Sequence, residues 1–117
     1  MMIAEAADDR KGGDIVLLKV SEVSYLADYF VIATGFSSVQ VRAIARSIQD
    51  KVETELNRLP VRVEGLTEGA WVLLDYGDVI AHVFLPQDRD YYSLEAFWGH
   101  AEQIRFTAAQ LARDSVE

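Results

Sequence analysis

The sequence predicts a single α/β domain, a mixed β-sheet packed with helices, and three observations carry that prediction. Two apolar runs, Asp14–Val20 and Tyr29–Thr34, are rich in β-branched residues and bounded by turn formers. After Ser37 the apolar residues recur at helical spacing over some twenty positions. From Trp71 to Phe84 they alternate with the period of two that a strand imposes, about a short turn containing glycine. Strand, strand, long helix and hairpin in that order build a sheet with a helix on one face.

In chain order, residues 3–11 (IAEAADDRK) predict a short, frayed N-terminal helix, stopped by positive φ at Gly12-Gly13. The near-continuous hydrophobicity of Asp14–Val20 predicts a strand covered on both faces. A turn-rich segment with Val23, Tyr25 and Leu26 then leads to the second strand, which ends at Gly35. Ser37 followed three residues later by Gln40 is the capping-box spacing that opens a helix. Val41, Ile44, Ala45, Ile48, Val52, Leu56 and Leu59 form its apolar stripe, and Pro60 marks its end. Arg46–Asp50 and Lys51–Glu55 stand i to i+4, a spacing that supports the helix by about 0.2–0.5 kcal/mol per pair.

Val61–Val63 reads as a brief strand or extended arm before the hairpin. With Tyr76-Gly77 as the two-residue loop, Asp75 faces Asp78, Leu74 faces Val79, and Trp71 faces His82. One face of that hairpin is aliphatic; the other carries Trp71, Leu73, Asp75, Asp78, Ile80, His82 and Phe84. Opposed carboxylates repel, so either a cationic partner relieves them or they diverge into water and cap the turn. Pro86-Gln87-Asp88 breaks the strand, and Tyr91–Trp98 predicts a short aromatic helix with Ser93 as an internal start. Residues 99–117 carry only the sparse stripe Ile104, Ala108, Leu111 and are expected to be helical or partly mobile.

Composition narrows the function. A chain of 117 residues fits one domain, and no apolar run approaches the ~20 residues that span a bilayer. The N-terminus lacks the basic-then-apolar order of a secretory signal and is too acidic for an organelle transit peptide, so a cytoplasmic protein is expected. With no cysteine there is no thiolate nucleophile and no cysteine metal site. The net charge of −8 falls mostly on residues 61–117, with four Lys/Arg against ten Asp/Glu. Phosphate binding draws on Lys and Arg, so little direct nucleic-acid contact is expected; a basic protein is the better partner, unless the acidity serves only solubility.

Catalytic patterns are sparse. His82 and His100 have no metal-ligand spacing. A nucleotidyltransferase, or a degenerate nucleotide-binding relative of one, would use Gly35 and Ser37-Ser38 near a phosphate and Asp75 with Asp78 on Mg²⁺. Carboxylates three apart across a turn do not share a strand face, and Ser37 already has work as a helix cap. No enzyme, no cofactor and no metal site are therefore expected.

The residues Asp28-Tyr29-Phe30-Val31-Ile32 with Thr34-Gly35 and Ser37-Ser38, then Trp71-Val72-Leu73-Leu74-Asp75-Tyr76-Gly77-Asp78, His82-Val83-Phe84 and Arg89-x-Tyr91-Tyr92-x-Leu94-Glu95-x-x-Trp98, resemble the ribosomal silencing factor family, RsfS, also called Iojap. The resemblance runs from about Arg10 to Trp98, making residues 1–98 the family domain and 99–117 an extension. It implies a nucleotidyltransferase-like topology without transferase activity. It also implies binding to the large-subunit ribosomal protein uL14, where the bound factor blocks joining of the small subunit and represses translation. A homodimer in the free state is implied too, and assistance in large-subunit assembly would use the same surface. The contact set carried over is Trp71, Asp75, Tyr76, Asp78, His82, Tyr91, Tyr92, Glu95 and Trp98.

Overall fold

The computed structural model describes residues 2–21, 27–99 and 101–106. Its elements are α1 (Met2–Asp9), β1 (Gly13–Lys19), β2 (Tyr29–Thr34), α2 (Ser38–Leu56), β3 (Arg62–Glu64), β4 (Trp71–Asp75), β5 (Val79–Phe84), α3 (Pro86–Tyr92), α4 (Leu94–Phe97) and β6 (Glu102–Arg105). The strands form one six-stranded sheet in the order β3-β4-β5-β2-β1-β6. Among the described strands only β2 and β5 pair in parallel, so the expected single α/β domain with a mixed sheet is what forms.

Two helices cover one face. Ser37 Oγ accepts the Gln40 N–H at 3.1 Å, as a capping residue should. The Gln40 side chain departs from the box: its Oε1 accepts the Phe36 N–H at 2.7 Å, and its Nε2 donates to the carbonyls of Arg10 and Lys11. The helix start is thereby sewn to the end of α1. Down α2 the stripe buries Val41, Ile44, Ala45, Ile48 and Val52, but it stops there. Asn57 takes a left-handed conformation (φ 52°) and its N–H bonds the Glu53 carbonyl, ending the helix before Pro60 and leaving Leu56 and Leu59 exposed.

Helix α1 is docked and not frayed, because Ile3, Ala4, Ala6 and Ala7 are buried and Ser47 Oγ donates to the Ala6 carbonyl at 2.9 Å. Lys51 reaches across to Glu5 (3.6 Å) and Asp9 (3.9 Å) of α1. The left-handed residue after α1 is Lys11 (φ 63°), in place of the glycines. Gly12 serves another purpose: a Cβ there would stand 2.8 Å from the Ala7 carbonyl oxygen.

The hairpin register is two residues from the expected one. Trp71 faces Phe84, Leu73 faces His82, and Asp75 faces Ile80. The central turn residues are Gly77 and Asp78, with the Tyr76 N–H donating to the Val79 carbonyl at 2.9 Å. Gly77 holds φ 89°, the geometry that a glycine at the first central position of a hairpin turn supplies without strain. A slip of two keeps every strand residue on its face but removes Asp78 from opposite Asp75 and moves Tyr76 onto the helix side.

Pro86 does not merely break the strand; it is the first residue of α3. Ser93, with φ 45°, closes α3 and precedes α4, so the aromatic segment is two short helices and not one. Within the extension, residues Glu102–Arg105 pair antiparallel with β1 instead of forming a helix. Val23, Tyr25, Leu26, His100, Ala108 and Leu111 lie outside the described residues.

Candidate functional site

The sheet face away from α1 and α2 carries a continuous run of rings. Alternation along β4 and β5 places Trp71, Leu73, Ile80, His82 and Phe84 there, and β2 adds Phe30. Trp71 stacks on Phe84 with ring centroids 4.9 Å apart, and Tyr92 of α3 lies 4.5 Å from Trp71 and 6.4 Å from Phe84, closing a three-ring cluster. Tyr91 meets Tyr92 edge-on at 5.1 Å. Burial grades outward along this series: Phe84 is buried, Trp71 half-buried, Tyr92 46% exposed and Tyr91 82% exposed. A buried base supporting exposed aromatic ends is how a protein presents rigid apolar anchors to a partner.

His82 is buried at the centre of this face, 4.9 Å from the Phe30 ring. The Trp71 indole N–H donates to its Nδ1 at 3.1 Å, and its Nε2 has no hydrogen-bond partner. Burial holds the imidazole pKa down at about 4, so it is neutral at physiological pH and serves as a polar pin within the rings. Trp98 also packs inward, edge-on to Phe30 at 5.7 Å. It contributes support beneath the surface.

The two hairpin carboxylates part ways. Asp78 is paired within the chain: Arg58 Nη2 donates to its Oδ1 at 2.8 Å and to the Tyr76 carbonyl at 2.6 Å. That hydrogen bond holds the Asp78 carboxyl below its ordinary pKa and raises that of Arg58. Asp75 Oδ1 accepts the Gly77 N–H at 2.8 Å, the turn-capping role, and Arg62 stands 3.9 Å from its other oxygen. Tyr76 is buried in the helix-side core, its hydroxyl unpartnered and its pKa raised by burial, so it takes no part in the ring surface.

Glu95 accepts the Arg89 Nε–H at 2.9 Å and has Arg105 at 3.8 Å. Arg89 itself escaped the sequence reading. Only 9% exposed, it also donates through Nη1 to the Asp14 carbonyl (2.7 Å) and Thr34 Oγ1 (2.8 Å). It thus bolts the helix bearing Tyr91 and Tyr92 to β1, β2 and α4. Its place in the Arg89-x-Tyr91-Tyr92 run was the available clue.

Nine expected contact residues therefore divide. Trp71, Tyr91 and Tyr92 share the exposed ring surface; His82 and Trp98 lie beneath it; Asp75 and Asp78 belong to the hairpin tip; Glu95 and Tyr76 have structural partners or burial elsewhere. The nucleotidyltransferase arrangement is not assembled. Gly35 and Ser37 follow Thr34 at one end of β2, whereas Val79, next to Asp78, pairs with Tyr29 at the other end, roughly 17 Å away along the strand. Among the described residues no three His, Cys, Asp or Glu side chains group to hold a metal, and no helix is long and apolar enough to cross a membrane.

Fold and site together define a small single-domain α/β protein with a partly exposed aromatic face on its sheet. The family model described as "Ribosomal silencing factor during starvation" matches residues 1–117, beyond the Arg10–Trp98 span of the motifs. The chain belongs to this family, whose members are ribosome-associated regulators of translation named for silencing and not for an enzymatic activity. It is 46% identical over 99 residues to ribosomal silencing factor RsfS of Bacillus subtilis, covering 84% of this chain and 82% of that one. The crystal structure of protein CV0518 from Chromobacterium violaceum superposes with a TM-score of 0.80 at 46% identity, covering 84% of this chain and 81% of that one. A crystal structure from Bacillus halodurans gives 0.76 at 37% identity, covering 90% and 94%.

Proposed function

We propose that this protein is a cytoplasmic, non-catalytic silencing factor that binds the large ribosomal subunit through uL14 and blocks small-subunit joining by occupying its docking space. The observation that carries the reading is the graded aromatic series Phe84–Trp71–Tyr92–Tyr91, which offers large, pre-positioned apolar groups at one face. Its setting is an acidic half-chain, suited to steering toward a basic ribosomal protein. Self-association of the free protein belongs to the same reading.

Co-sedimentation with isolated large subunits, with and without small subunits, tests it. The wild type should pellet with large subunits and lower the yield of joined ribosomes, and Trp71→Ala and Tyr92→Ala should lose both effects while retaining the fold. Pull-down of isolated uL14 by the wild type alone tests the named contact. Full binding by both aromatic variants would move the site elsewhere.

A further inference from the structure

Beyond the carboxyl ends of the parallel strands β2 and β5 the chain leaves the sheet toward opposite faces. From Thr34 it turns through Gly35 and Phe36 into α2 on the helix side; from Phe84 it passes into α3 and α4, whose Leu94 packs on the ring side. Such a divergence opens a crevice past the strand ends, where open α/β sheets commonly hold a ligand. Here it forms a cavity of about 560 Å³ whose charged walls are Asp14, Arg89, Asp90, Glu95 and Arg105. That volume is of small-molecule size.

The charges of this cavity are of both signs and only partly spent. Arg89 is nearly buried, and its Nε and Nη1 donate to Glu95, the Asp14 carbonyl and Thr34. Its Nη2 makes no hydrogen bond among the described residues and is not sealed in the interior, which leaves two N–H donors on a fixed guanidinium. Arg105, more than half exposed, stands 3.8 Å from Glu95, too far for a hydrogen bond, so its fork is open as well. Asp14 and Asp90 are exposed and have no cationic partner among the described residues. Asp14 adjoins the free guanidinium edge, because its carbonyl lies 2.7 Å from Arg89 Nη1. Asp14 and Ser93 both hold φ 45°, and Arg89 holds both: Nη1 takes the Asp14 carbonyl, and the Arg89 carbonyl takes the Ser93 N–H. Left-handed non-glycine residues fixed in this way are found at ligand clamps.

These signs select the ligand. Three carboxylates against two guanidiniums repel a polyphosphate, and the nearly buried Arg89 repels a bare metal ion. A molecule with adjoining charges of both signs satisfies the walls. Phe36 adds an apolar side: it is 64% exposed, and its ring lies over Gly13, where a Cβ would stand 2.9 Å from the Phe36 Cζ. Pro86 and Ala96 extend that apolar lining.

We infer that this cavity binds a free α-amino acid with an apolar side chain. Its carboxylate takes the open donors of Arg89 and Arg105, its ammonium takes Asp14 and Asp90, and its side chain lies against Phe36, Pro86 and Ala96. An α-amino acid carries both charges on one carbon, which matches a carboxylate and a free guanidinium edge on adjoining residues.

The test is two-dimensional amide NMR of the full chain, titrated in turn with leucine, isoleucine, valine, methionine and phenylalanine. At least one of them should shift the amides of Asp14, Phe36, Arg89 and Ser93 saturably, in the millimolar range or below. The deaminated acid and the decarboxylated amine matched to that amino acid should each bind at least about tenfold more weakly. Arg105→Gln and Asp14→Asn should each weaken binding about fivefold, and asparagine tolerates the left-handed backbone of position 14, so the fold is kept. No saturable shift with any of these amino acids overturns the inference. So does a deaminated acid that binds as tightly as the amino acid, which makes the cavity a plain anion site. Binding undisturbed by both variants places the amino acid elsewhere and overturns it too.

Discussion

The Trp71 indole N–H donates to His82 Nδ1 across neighbouring antiparallel strands, at 3.1 Å, and so fixes the imidazole as the tautomer protonated at Nε2. Both residues sit on the ring face, and a protonated imidazole could not accept that bond. The arrangement makes stability depend on pH. Burial depresses the folded pKa from 6.5 to about 4, so between those values the unfolded chain binds a proton that the folded chain refuses. This contribution is complete above pH 6.5 and is lost as pH falls toward 4, amounting at most to about 3 kcal/mol. Denaturant melts from pH 7.5 to 4.5 should show the decline, and His82→Phe should flatten it. An equal slope in both proteins would assign the decline to other groups.

Arg89 gives the second prediction. Its guanidinium is nearly buried and simultaneously serves Glu95, Thr34 and the Asp14 carbonyl. Removing one partner of a buried charged network leaves the others unsatisfied, so Arg89→Ala should cost on the order of 3 kcal/mol in urea unfolding. Arg89→Lys should recover only part, because an ammonium lacks the planar fork that reaches several acceptors at once. A loss below ~1 kcal/mol, the ordinary figure for an exposed pair, would show that the guanidinium is not the bolt of α3.

Asp78 and Trp71 should separate in binding. Arg58 already neutralises Asp78, so Asp78→Ala should change large-subunit affinity less than threefold, whereas Trp71→Ala should weaken it more than tenfold, about 1.4 kcal/mol or more. Arg58→Ala exposes the carboxylate to a basic partner and should leave binding equal or tighter at low salt. Filter binding at two ionic strengths reads all three variants. Loss in Asp78→Ala equal to that in Trp71→Ala would restore the hairpin tip to the contact set.

What the residues disclose follows from how local the determining interaction is. The faces of β4 and β5 were readable because alternation survives a register slip of two, although the true turn at Gly77-Asp78 rests on one residue's backbone angle. Ser37 and Gln40 announced the start of α2 from within four residues; its end depended on Asn57 adopting φ 52°, which Pro60 three positions later concealed. Strand β6 gave no periodic signal because its four residues are all exposed on a sheet edge. The charge pairs were the least legible part of the site. Arg58 meets Asp78 from twenty residues away, and Arg89 meets Glu95 only because Ser93 breaks the helix between them. Acidic composition pointed to carboxylates but could not say which ones the chain consumes itself.

Tyr76 supplies the last prediction, on a residue carried over as a partner contact and found in the core. Its ring packs among helix-side residues with Arg58 5.8 Å above it, while its hydroxyl is buried without a hydrogen bond. An unpaired buried hydroxyl retains its desolvation cost with nothing to offset it. Tyr76→Phe keeps the ring and the packing and deletes only that group, so it should stabilise the fold by about 1 kcal/mol and leave large-subunit binding unchanged. Tyr76→Ala, which removes the ring, should cost about 3–5 kcal/mol through the cavity it opens. Equilibrium unfolding and co-sedimentation of the Phe variant decide between the two roles: a stabilised protein that still binds places Tyr76 in the core alone, and one that folds normally but fails to bind makes its hydroxyl a contact after all.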